Sequence, residues 1–195
     1  MTATTSELNL FYWHCEVAAN IIGTMPGNAA TRSVSRHALR MGTLNLASKN
    51  GVFHASESAR NQRDASGKPW SKAELIREHA VPISIIHRRV VDEVQLPRTE
   101  AALAQARSAL ESNLLATGFS PSKVAEFPRN PRTWYVVHVL RRLTHLAWVT
   151  RDDDQLLRAK PAAGPLSLHK HMPPDWDGND PFARYRACGI LVAPI

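Results

Sequence analysis

Glu78 and His79 stand side by side at the end of an apolar run, and Pro82 follows three residues after the histidine. A carboxylate next to an imidazole suits phosphodiester hydrolysis. That reaction needs an activated water, a cation on the phosphate and stabilisation of the leaving oxygen. A neutral histidine can take the proton from the water, and the acid can hold the cation. Successive side chains on a strand point to opposite faces. The pair therefore reaches one site only where the strand ends or bends, which Ala80-Val81-Pro82 permits. The alternative is a strand-end pair whose histidine hydrogen-bonds to backbone.

Other residues carry ligand or stacking chemistry. His169 and His171 lie two apart, near the acids of DWDGND (175–180), a set that can bind a transition metal but equally decorates a polar loop. DWDGND lacks the full ligand series of a calcium-binding helix–loop–helix. His138 and His145 fall in phase if 134–147 is one helix, and then read as a core or interface pair. Trp134, Tyr135 and Trp148 can stack on bases, although their apolar neighbours favour a core. The chain has no phosphate-binding glycine loop, no dinucleotide fingerprint and no serine-hydrolase elbow. Its two cysteines, Cys15 and Cys188, form no CxxC pair, which excludes a cysteine-rich zinc knuckle.

The net charge of +7 favours a polyanionic partner, nucleic acid first. Arginine is suited to this because its planar fork can donate two hydrogen bonds to one phosphate. Arg88 and Arg89, Arg129 and Arg132, and Arg141 and Arg142 are the candidate contacts. Arg32, Arg36 and Arg40 repeat every four residues and offer a phosphate-contacting face in a region where a helix-turn-helix would also fit.

The string EHAVPIS, residues 78–84, resembles the opening of the HNH, or His-Me finger, endonuclease motif. That opening is an acid, the histidine, two small apolar residues, a proline, an apolar residue and often serine. The resemblance implies a small ββα unit with His79 as general base and Glu78 as a ligand of one divalent cation, Mg²⁺ or Mn²⁺. It also implies a further His or Asn ligand from a helix, for which His87 and Asn113 are the polar candidates. The match covers roughly ten residues. Many members continue with a glycine-containing loop and carry paired zinc-binding cysteines; this chain has neither.

The elements that would position these residues follow from periodicity and punctuation. Residues 6–23 fit a helix with Leu10, Trp13, Val17 and Ile21 on one face, broken by GTMPGN (23–28). Residues 29–47 fit one or two helices, and a further helix runs from Ser56 to Gly67. A strand runs into Pro82, and helices follow at 83–96 and 99–118, the latter capped by Thr99 and ended by Gly118. Residues 119–131 read as a proline-punctuated link, and RTWYVVHVLRRLTHLAWVT as strand, helix or one of each. Thr150 is a good N-cap for a helix with acids in its first turn. Residues 160–181 read as loop, followed by a short helix and an apolar tail.

The expectation is therefore an α+β chain, predominantly helical, with a small ββα-like unit around residues 73–95. It is a single domain over 1–195, with any subdivision near 119–131. The N-terminus reads as an amphipathic helix rather than a signal peptide, and no stretch is apolar for long enough to span a bilayer, so a cytoplasmic protein is expected. The expected function is metal-dependent hydrolysis of DNA, in restriction, phage defence or as a toxin. A non-catalytic nucleic-acid-binding protein or a small interaction protein is the alternative.

Overall fold

Ser56, Thr99, Ser120 and Thr150 each accept a hydrogen bond from the backbone amide three residues on, and each begins a helix. These side chains satisfy amide groups that the first turn of a helix leaves unbonded. The computed structural model describes residues 5–24, 29–50, 53–127, 130–159 and 167–195. In chain order the described elements are α1 (Thr5–Thr24), α2 (Ala29–Asn50), β1 (Phe53–Ser56), α3 (Glu57–Ser66), β2 (Ile76–His79), α4 (Ile83–Gln95), α5 (Glu100–Ala116), α6 (Pro121–Glu126), α7 (Thr133–Leu143), β3 (Leu146–Val149), α8 (Arg151–Arg158), α9 (Ala183–Ala187) and β4 (Val192–Pro194). The chain is α+β and predominantly helical, with one four-stranded mixed sheet. Among the described residues, no helix is long and apolar enough to cross a membrane.

The chain forms two compact units. The first comprises 1–50 with 86–142, and the second 51–85 with 143–195, so residues 119–131 lie inside the first. In the first unit, α2 buries Ser35, Ala38, Leu39, Thr43 and Leu46, a stripe at helical spacing. Gly42 continues that stripe where α7 comes close: a Cβ there would stand 3.2 Å from the Leu140 side chain. Tyr12 of α1 is fully buried against Phe119 and Phe127, edge to face with both. Its hydroxyl donates to Asn113 Oδ1 and accepts from Arg141.

In the second unit the strand order is β2-β3-β1-β4. β3 pairs antiparallel with β2 and parallel with β1, and β1 pairs antiparallel with β4. The register sets Ile76 opposite Val149 and Glu78 opposite Ala147. Cross-strand partners share a face, so these four residues look the same way. On that face Ala80, Ala147, Val149, Leu157, Leu168, Tyr185 and Ile190 form a buried apolar cluster, with Ile76, Phe182 and Val192 packed against it.

The ββα-like unit expected around 73–95 takes a different form. That stretch supplies one strand and one helix, and the antiparallel partner of the strand comes from residues 146–149. Glu74, with a φ of 58°, leads from the short 3-10 turn at Trp70–Lys72 into β2, and the residues before it form helix α3 and that turn rather than a hairpin strand. The segment 132–150 is one helix followed by one strand. His138 therefore lies on α7 and His145 in the connection beyond it, rather than together on one helix. Ser120-Pro121 opens helix α6 inside the expected link, as a capping serine with proline in the first turn. Of the loop expected at 160–181, residues 160–166 lie outside the described residues, and 167–181 contain neither helix nor strand.

Candidate metal centre

β2 keeps regular pairing through His79, which sits opposite Leu146. Glu78 and His79 therefore point to opposite faces of the sheet. The glutamate lies on the face with the apolar cluster and the histidine on the other, so the strand does not bend to bring both into one site.

Glu78 meets two residues from elsewhere in the second unit. One carboxylate oxygen of Glu78, one of Asp154 and one ring nitrogen of His169 all lie within 4.8 Å of one another. Glu78 comes from the end of β2 and His169 from the turn after residue 167. Asp154 comes from the first turn and a half of α8. There the preceding Asp153 is committed to the cap: its Oδ2 accepts from the Thr150 amide at 2.9 Å and from the Ser56 hydroxyl at 2.6 Å. Asp154 is one position further round the helix and 7% exposed.

Arg184 of α9 ties this arrangement together. Its side chain is fully buried and donates to Glu78 Oε2 at 3.1 Å, to the carbonyls of Leu168 and His169 at 3.1 and 2.9 Å, and to the carbonyl of His79. One guanidinium thus fixes the end of β2 against the segment that carries His169. Beside it, burial pushes the Tyr185 hydroxyl up to about 12, which keeps that group protonated.

Two atoms in the cluster make no hydrogen bond. Asp154 Oδ1 and His169 Nδ1 are buried without a hydrogen bond, although they lie 3.5 Å apart. Leaving a buried polar atom unsatisfied costs about 1–3 kcal/mol. A cation would engage both, and two carboxylate oxygens with an imidazole nitrogen are ligands that Mn²⁺ or Zn²⁺ accept. The residues therefore fit a divalent metal. Opposing this, Arg184 and Arg158 place two positive charges on the two carboxylates; Arg158 Nε is 2.7 Å from Asp154 Oδ2.

The remaining expected site residues lie elsewhere. His87 and Asn113, the candidates for a further ligand, belong to the first unit, whereas Glu78 belongs to the second. His87 Nε2 is 2.9 Å from the Ser35 hydroxyl, and Asn113 accepts from Tyr12. Burial first, then the charges of Arg36 and Arg32, hold the His87 ring below the usual histidine range. Arg88, Arg89, Arg141 and Arg142 are exposed, and Arg132 is half-buried at the start of α7. Arg129 lies outside the described residues. Trp148 stacks on Trp70 at 6.5 Å between ring centres, and Arg98 lies 4.2 Å over the Tyr135 ring. In DWDGND, Asp177 binds Asn179 and Asp180 pairs with Arg186, so neither joins His169.

Reading the sequence alone singled out Glu78 and His169 but missed Asp154 and Arg184. The acids after Thr150 carried a faint signal, because three of them follow a cap that needs one. Comparison with protein-family models, with curated proteins and with solved structures found no match.

Proposed function

We propose that this chain is a divalent-metal-dependent phosphodiesterase acting on nucleic acid, in which Glu78, Asp154 and His169 hold the metal. The observation that carries the reading is the convergence of these three side chains from distant parts of the second unit, two of them presenting buried atoms that make no hydrogen bond. The net charge of +7 supports a polyanionic substrate. When bound, the metal supplies Lewis-acid activation of the phosphate and a water of lowered pKa. Glu78 and Asp154 bring the negative charge that attracts it, and Arg184 holds Glu78 and the His169 backbone in place. His79 lies on the opposite face of β2, so its expected part as general base does not follow from this cluster.

A second reading rests on the two arginines. With Arg184 on Glu78 and Arg158 on Asp154, the carboxylates have countercharges without a metal, and the cluster then serves as a partly buried ion network.

The test is nicking of supercoiled plasmid with Mn²⁺ or Mg²⁺ by wild type, Asp154→Asn, His169→Ala and His79→Ala, with chelator as control and folding checked by circular dichroism. Metal-dependent nicking that is lost in the Asp154 and His169 variants supports the metal centre. Nicking undiminished in those two variants, or no nicking with either cation, sinks it and leaves the ion network.

A further inference from the structure

Among the described residues, some arginines pair with an acid and others do not. Arg63, Arg98, Arg158, Arg184 and Arg186 each pair with an acid. Arg32, Arg36 and Arg40 of α2 are exposed and make no ion pair among the described residues. They repeat every four residues, and a helix advances about 6 Å over that interval, so the guanidiniums form one row. The row runs along the edge of the buried stripe of Ser35, Ala38, Leu39, Thr43 and Leu46, where α2 packs, and all three arginines remain exposed. No Asp or Glu occurs anywhere in 29–50 to offset it.

The row continues onto a neighbouring helix. The hydrogen bond between Ser35 and His87 joins α2 to α4, and the next residue of α4, Arg88, is exposed. Both Arg32 and Arg36 act on the His87 ring, so the positive potential reaches beneath the surface between the two helices. Exposed cations left unpaired in this way repel one another, and a linear polyanion relieves that repulsion. A membrane surface fits less well. Interfacial helices need a broad apolar face to insert, and the apolar face of α2 is buried in the protein.

We propose that α2 and the adjoining turn of α4 form a docking surface for nucleic-acid backbone, with Arg32, Arg36, Arg40 and Arg88 as phosphate contacts. The inference rests on the nucleic-acid part of the function proposed above and is independent of the metal. Such contacts set affinity and position without reading sequence.

The test is fluorescence anisotropy with labelled duplex and single-stranded DNA, in chelator so that nothing is cleaved. Wild type is compared with Arg36→Gln and with the triple variant Arg32→Gln/Arg36→Gln/Arg40→Gln over a range of salt. The expected result is affinity falling with salt, with the slope of log K against log [salt] reduced by about one for the single variant and about three for the triple. A nuclear magnetic resonance titration of His87 adds a local readout. Phosphates that neutralise Arg32 and Arg36 should raise its pKa toward the ordinary histidine value. An unchanged slope in the triple variant overturns the proposal, as does an unmoved His87 titration at saturating DNA. Binding to phosphatidylserine vesicles without binding to DNA also overturns it. DNA binding of the expected kind in a protein that never nicks plasmid supports this surface and removes only the metal-dependent activity.

Discussion

Arg184 carries more of the second unit than its position on a five-residue helix suggests. It is fully buried, and its donors reach one carboxylate and three backbone carbonyls. Replacing it by methionine keeps an unbranched apolar stem and removes the guanidinium with every donor. The carbonyls of Leu168, His169 and His79 would then lose their partner, and Glu78 would lose its countercharge. Removing one partner of a buried ion pair typically costs about 3–5 kcal/mol. Glu78 retains some solvent contact, with 19% of its side chain exposed, so the lower end applies. Urea unfolding of Arg184→Met should show a loss of about 3 kcal/mol. A loss below about 1 kcal/mol would mean that water replaces the guanidinium at little cost. At this scale the sequence was only partly legible. Glu78 and His169 stood out by residue type, whereas the contact of Glu78 with Arg184 spans 106 positions and leaves no local trace.

At the scale of elements, Thr150 holds together more than its own helix. Its hydroxyl accepts from the Asp153 amide at 3.1 Å, and Asp153 answers by accepting from the Thr150 amide. The same Asp153 carboxylate accepts from Ser56, which itself caps α3. One reciprocal capping box thus joins the starts of α3 and α8 around β1 and β3. Thr150→Ala should cost about 1 kcal/mol, read from the midpoint of chemical denaturation. If Asp154 belongs to a metal site, the same variant should weaken Mn²⁺ binding by calorimetry, because Asp154 sits one residue beyond the cap. Caps of this kind explain which elements could be read in advance. Ser56, Thr99 and Thr150 act within three residues, so their helices could be recognised locally. The strands β1 and β4 could not. They have four and three residues, too few for a period-two pattern, and they pair with each other across more than 130 positions. The proline at 121 misled in the other direction, since a first-turn proline and a linker proline look alike without the helix that follows.

Across the whole molecule, the chain leaves each unit and returns to it. The first unit is interrupted by residues 51–85, and the second is completed only by 143–195. Among the described strands, β2 pairs with β3 alone, and β1 with β3 and β4 alone. A chain ending at Leu143 therefore retains β1 and β2 but neither of the strands that bond to them. Hydrogen exchange on that truncated chain should find the amides of residues 53–56 and 76–79 unprotected, with protection kept in α1, α2 and α5. Protected amides at 76–79 would mean that β2 holds its shape without the sheet.

The position of β3 between β2 and β1 also has a consequence for the order of events on the ribosome. Ser56 is synthesised 90 residues before Leu146, the first residue of the central strand. At the usual rates of translation that gap lasts roughly 5 to 20 s. Through that interval β1, joined by β2 once residue 79 is made, waits with open edges while helices of the first unit are already being made. Their shortness, four residues each, limits the template they offer to other nascent chains in the meantime.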